Sequence, residues 1–147
     1  MLLYPPGTEF LPAFLGCLRA GIIAISLSPP DTSRIKRALP RLTAVVADAQ
    51  ASLVLTTTEI RNSLQSHLDE IRELRELRWV NTEEITGIDR GRANGDSWQA
   101  SQDDIAFLQY TFGSTSSPKG VMVSHGNVLS QCRALMLASG YLCGNRR

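Results

Sequence analysis

Residues 2–27 read LLYPPGTEFLPAFLGCLRAGIIAISL, and the fold turns on whether this stretch crosses a membrane or folds as strand, helix, strand. The apolar part, residues 10–27, carries Pro12, Gly16, Gly21 and, near its centre, Arg19. An arginine at mid-bilayer costs about 2.5–3.5 kcal/mol on insertion, and a span needs about 20 apolar residues. No transmembrane segment is therefore expected. The globular reading uses every residue. Leu2, Leu3 and Tyr4 are strand-like, Pro5-Pro6-Gly7 turns the chain, and Thr8 is placed to cap a helix with Glu9 in its first turn. Phe10, Phe14 and Leu18 fall at i, i+4 and i+8 with Leu11 and Leu15 beside them, a wide apolar face at helical period. Pro12 is early enough to be tolerated, and Gly21 supplies the stop. Residues 22–27 are then a continuous apolar run, the pattern of a strand covered on both faces, ended by Pro29-Pro30. Such a unit has parallel strands and a right-handed crossover.

The chain beyond repeats the alternation. Asp31, Thr32 and Ser33 can cap a second helical stretch, interrupted by Pro40 and resuming over residues 41–49; SLVLT, residues 52–56, is the next strand. A third helix is expected from about residue 58 toward 77, where Ile60, Leu64, Leu68 and Ile71 step by four, four and three. Its polar face carries Asp69, Glu70, Arg72, Glu73, Arg75 and Glu76, too few heptads for a coiled coil and best read as solvated. Trp79-Val80 returns to a short strand. Residues 86–104 hold Gly87, Gly91, Asn94 and Gly95 among acids and read as a loop or linker. The class is α/β. With 147 residues and 43% apolar composition the chain suits one domain. Its expected organisation is a βαβ-type segment over residues 1–85, the linker 86–104, and a strand–loop–strand–helix segment of the same domain over 105–147.

Charge and cysteines remove several functions. Fifteen basic residues against fourteen acidic leave a net +1, no field for nucleic acid or an acidic lipid surface. Cys17, Cys132 and Cys143 are far apart with no Cys-x-x-Cys pair, which argues against a disulfide scaffold or zinc site and fits a reducing, cytoplasmic setting. Cys17 and Cys132 fall on expected helices and read as small core residues. His67 and His125 are too separated to suggest a metal site. His125 reads as a strand end or helix start, with Asn127 capping a helix over residues 128–139.

Chemistry concentrates in one loop. IAFLQY, residues 105–110, is strand-like and enters TFGSTSSPKG, residues 111–120, before Val121-Met122-Val123 forms another strand. Glycines let backbone approach a ligand closely, hydroxyls and N–H groups donate to oxygens, and Lys119, one of only two lysines, supplies a point charge. That set suits a polyphosphate. It is not a Walker A loop, because Pro118 precedes the lysine and Gly120 follows it, and no Gly-x-Gly-x-x-Gly fingerprint is present. Composition alone is equally compatible with a surface hairpin loop.

YTFGSTSSPKGVMVSHGNVL, residues 110–129, resembles the signature phosphate-binding loop of the adenylate-forming superfamily, the AMP-dependent synthetases and ligases. That pattern runs Tyr-Thr-Ser-Gly-Ser/Thr-Thr, a Gly or variable residue, then Pro-Lys-Gly-Val; the departures are Phe112 and Ser116. YPPGTEFLPAFLGCLRAGIIAISLSPP, residues 4–30, ALPRLTAVVADAQASLVLTT, residues 38–57, and DIAFLQYT, residues 104–111, resemble the fatty acyl-AMP ligase branch. The resemblance implies that ATP, with Mg²⁺, and a fatty or other carboxylic acid give acyl-adenylate and pyrophosphate. The acyl group then passes to the phosphopantetheine thiol of an acyl carrier protein in preference to coenzyme A. It also implies that Thr111, Gly113, Ser114, Thr115, Lys119 and Gly120 cradle the β- and γ-phosphates, Lys119 as an electrostatic clamp.

Phe112 stands where the family has a small residue; its ring either crowds a phosphate oxygen or tucks beneath the loop. The resembled family continues for several hundred residues past this loop, with an aromatic-Gly-x-Thr-Glu segment, a ribose segment and a small domain bearing the adenylation lysine. No catalytic residue is assigned within these 147, and the chain alone is expected to be inactive and to expose apolar surface meant for neighbours. The alternative is a non-catalytic binding module derived from the same fold.

Overall fold

The computed structural model describes residues 1–85, 99–111 and 118–140. Among these, six strands form one sheet, accompanied by five helices. In chain order they are β1 Leu2–Leu3, α1 Phe10–Arg19, β2 Ala24–Leu27, α2 Ile35–Asp48, β3 Leu53–Thr56, α3 Thr58–Leu68, α4 Arg72–Arg75, β4 Arg78–Asn81, β5 Ile105–Thr111, β6 Lys119–Ser124 and α5 His125–Ala138. The sheet order is β4-β3-β1-β2-β5-β6. Every pairing is parallel except β5 with β6, so the chain is α/β with one antiparallel strand at its edge.

Successive strand residues point to opposite faces, and two apolar clusters follow. Leu2, Ala24, Leu55 and Phe107 meet Phe10, Ala13, Phe14 and Cys17 of α1, with Phe14 edge-on to Phe107 at 5.5 Å between ring centres. Leu3, Ile25 and Val54 face the other way, onto Leu39, Leu42 and Val45 of α2, Leu64 and Leu68 of α3, and Leu74 of α4. Ala24 and Ile25, adjacent in β2, are buried on opposite sides, as the unalternating apolar run required.

The structure departs from the sequence reading at several element ends. α1 begins after Glu9, whose side chain makes no capping bond, and Thr8 does not cap it. At its end Gly21, at φ 68°, allows Gly21 N–H to reach Leu18 O at 3.4 Å and Ile22 N–H to reach Cys17 O at 2.9 Å. This closing turn takes Ile22 and Ile23 out of the strand and leaves them exposed. α2 runs through Pro40 instead of breaking. The ring lies on the exposed side of the helix, and the missing N–H forfeits one bond, to the Lys36 carbonyl near the helix start. The expected third helix is two. The chain leaves helical geometry after Leu68, and Ile71 is extended at φ −110°, ψ 111°. That step lets Leu74 and Leu77 turn into the core as the chain returns to β4.

α2 closes with the same pattern as α1 but without glycine. Gln50 adopts φ 49°, while Gln50 N–H bonds Ala47 O at 3.3 Å and Ala51 N–H bonds Val46 O at 3.1 Å. A side chain in this left-handed region costs about 1 kcal/mol relative to glycine. Gln50→Gly is expected to stabilise the fold by up to about 1 kcal/mol, read as a higher urea midpoint at unchanged slope.

Candidate functional site

In open α/β sheets ligands bind beyond the carboxyl ends of the parallel strands, and β5 delivers the glycine- and hydroxyl-rich loop to that edge. β5 ends at Thr111 and β6 begins at Lys119, which pairs directly opposite it; one step inward Tyr110 pairs with Gly120. The loop is therefore a hairpin connection whose two ends are tied by strand register. Thr111 and Lys119 are both exposed at its mouth. Gly113, Ser114 and Thr115, together with Phe112, lie outside the described residues. Of the six phosphate-loop candidates, Thr111, Lys119 and Gly120 are brought together here.

Gly120 is required by space. A Cβ at this position would stand 2.8 Å from Tyr110 Cζ and 3.0 Å from its hydroxyl oxygen, so the ring lies against the glycine backbone. Gly120→Ala forces the ring or the strand to move, at an expected cost of about 1–3 kcal/mol, measurable as a fall in the denaturation midpoint. Tyr110 is only 9% exposed, and its hydroxyl donates to Asp48 Oδ2 at 2.5 Å, across 62 residues of sequence. Burial, then the hydrogen bond and charge of Asp48, push the phenol up to about 12. Because that lies above the ordinary value of 10.0, the contribution is whole below pH 10 and disappears as pH rises through about 12. Comparing wild type with Tyr110→Phe by circular dichroism across this window should show the alkaline loss reduced in the variant.

Tyr110 also forms one wall of a cleft of about 980 Å³ running along the end of β2. Among the described residues Pro29 and Pro30 line it, with Arg34, Arg37 and Arg41 and one acid, Asp31. Asp31 is engaged locally, accepting from Ser33 N–H at 2.9 Å. Among the described lining residues Arg34 and Arg37 against Asp31 leave a positive excess although the chain is nearly neutral, which suits an anionic group. The sequence reading passed over it; the available signal was arginine at i, i+3 and i+7 following a Pro-Pro turn at a strand end.

Beyond β6, Ser124 caps α5. Its hydroxyl accepts from Asn127 N–H at 3.2 Å while Asn127 Oδ1 accepts from Ser124 N–H at 3.1 Å, so Asn127 is the third helical residue of a capping box and not the cap itself. The preceding turn secures the helix start: His125 N–H bonds Asp104 O at 3.0 Å and Gly126 N–H bonds Gln102 O at 2.9 Å. Cys17 is buried, and burial raises its thiol pKa, as for a packing residue. Cys132 on α5 is exposed and is not a core residue. Among the described residues no cluster of His, Cys, Asp or Glu is placed to hold a metal, and no helix is long and apolar enough to cross a membrane.

Comparison with known proteins gives this geometry a setting. The family model described as AMP-binding enzyme matches residues 1–144. The chain is 43% identical over 145 residues to the medium-chain-fatty-acid–acyl-carrier-protein ligase JamA of Moorena producens, covering 96% of this chain and 24% of that protein. It is 34% identical over 142 residues to the 4-hydroxyphenylalkanoate adenylyltransferase of Mycobacterium marinum, covering 96% and 22%. A solved fatty acyl-adenylate ligase from L. pneumophila, in complex with acyl adenylate and pyrophosphate, superposes with a TM-score of 0.74 at 30% identity, covering 92% of this chain and 22% of that one. The chain spans about a quarter of the length of these two curated relatives.

Proposed function

The chain belongs to the AMP-binding enzyme family, and from that premise we propose that it is the N-terminal part of an ATP-dependent fatty acyl-AMP ligase. The reaction joins a fatty acid to ATP, releasing pyrophosphate and forming acyl-adenylate, then passes the acyl group to the phosphopantetheine thiol of a carrier protein in the cytoplasm. The observation that carries this reading is the register that sets Lys119 opposite Thr111 at the two ends of the loop. An ammonium and a hydroxyl stand there together at the carboxyl end of β5, and the residue beside Lys119 has no room for a side chain.

These residues fit a nucleotide triphosphate. Thr111 would donate to a phosphate oxygen, and Lys119 would neutralise charge on the departing pyrophosphate. Gly113, Ser114 and Thr115 would complete the cradle with Gly120, all acting by position and charge, not as nucleophiles. Mg²⁺ would arrive on the phosphates. Similarity to a carrier-protein ligase supports the acceptor, and the Moorena relative supports a fatty acid of medium length.

The mass of the native polypeptide comes first, using an antibody raised against residues 61–81. A band several times 16.1 kDa supports part of a longer enzyme. A band at that mass turns the reading to a non-catalytic binding module. The full-length product should then release pyrophosphate from ATP only when fatty acid is present, and load holo-carrier protein in preference to coenzyme A. Absence of fatty-acid-dependent release in the full-length product overturns the function.

A further inference from the structure

We infer that Tyr110 and Asp48 form a latch that positions Thr111 and Lys119 at the two stems of the nucleotide loop, Tyr110 serving as a positioning residue for ATP; the inference rests on the function proposed above. The loop has two stems, and a single aromatic ring touches both. Tyr110 belongs to β5 and precedes Thr111. Its ring lies against Gly120 on β6, where a Cβ would come within 2.8 Å of Cζ, and Gly120 follows Lys119.

β6 needs such support. It is the last strand of the sheet with β5 as its sole strand partner among the described residues, and it is exposed over residues 119–122. The paired backbone fixes which residues stand opposite one another but leaves an edge ribbon free to twist. The hydroxyl of Tyr110 ties this ribbon to a third element by donating to Asp48 Oδ2. Asp48 is the last residue of α2, and that helix end is fixed by the closing turn through Gln50 and by Val45, which is fully buried one turn earlier.

Packing alone would be satisfied by phenylalanine. The hydroxyl adds a directional, charge-assisted bond at a mostly buried ring, and it sets how far the ring stands from α2. Through Gly120 that distance is handed to Lys119, and through the adjoining backbone to Thr111. The latch therefore acts on where Thr111 and Lys119 present their donors to the phosphates, and the fatty acid should not sense it.

The test uses the full-length product, measuring fatty-acid-dependent pyrophosphate release. Tyr110→Phe and Asp48→Ala are each expected to raise KM for ATP about tenfold or more, the scale of one lost hydrogen bond to a charged group, with KM for the fatty acid unchanged. Asp48→Asn keeps an acceptor oxygen and should recover most of the loss. The double variant Tyr110→Phe/Asp48→Ala should be no worse than either single, because both remove one interaction. An active wild type whose variants keep the normal ATP KM overturns the latch, as does a parallel rise in fatty acid KM or additive losses in the double variant. A wild type that releases no pyrophosphate overturns the parent function instead, and the latch's role in it.

Discussion

Lys119→Ala in the full-length product is expected to lower kcat/KM for ATP about 100-fold or more while leaving stability within about 0.5 kcal/mol. The two numbers come from different physics. Lys119 is exposed at the start of an edge strand, and substitution at such a position, away from core, caps and buried charges, changes folding by a few tenths of a kcal/mol. Its proposed task is to hold charge that grows on the leaving pyrophosphate. Removing one preorganised donor from such a site costs about 10²–10³ in rate. Lys119→Arg keeps the charge but replaces a compact ammonium by a planar fork, so its activity should fall between wild type and alanine. The measurement is steady-state pyrophosphate release at varied ATP, with a urea melt of each protein alongside. A variant within threefold of wild type would remove Lys119 from the phosphate site.

The parts of this molecule visible in its sequence are those set by local pattern. The i, i+4, i+8 spacing of Phe10, Phe14 and Leu18, followed by an unbroken apolar run, was enough to give strand, helix and parallel strand. The candidate phosphate loop stood out by residue type alone: glycines, hydroxyls and one lysine between two strands. What escaped depends on distant neighbours. Ile60, Leu64, Leu68 and Ile71 continue a helical period into Leu74, so periodicity could not reveal that the chain must break after Leu68 to bring β4 back beside β3. Pro40 looks like a breaker until its ring is seen on the exposed side of α2. The Tyr110–Asp48 bond joins residues 62 positions apart, and neither side chain carries a local sign of the other. The arginine cleft was half visible, since its spacing is helical, but only the sheet order places α2 beside the end of β2 and Tyr110 of β5.

The second large effect should appear on α5. A helix on the surface of a complete domain turns its large apolar side chains toward the core and its polar ones toward water. In α5, Leu129, Leu135, Met136 and Leu137 are 44–61% exposed, and Val121 and Met122 of the adjoining β6 are 53% and 69% exposed. Six large apolar side chains exposed on two neighbouring elements favour association. The 147-residue chain produced alone is therefore expected to self-associate at micromolar concentration, seen by light scattering. Replacing two of these residues with charge, Leu135→Lys with Leu137→Glu, should shift it toward monomer. In the full-length product the same pair should do the opposite. If the rest of the polypeptide covers α5, each new charge is buried without a partner, at several kcal/mol apiece, and soluble yield should collapse. A full-length product that tolerates both substitutions would mean that α5 faces water in the whole enzyme. A monomeric wild-type fragment would mean that these side chains are not a sticky face at all. Opposite signs in the two contexts are what a face built to be covered by its own chain requires.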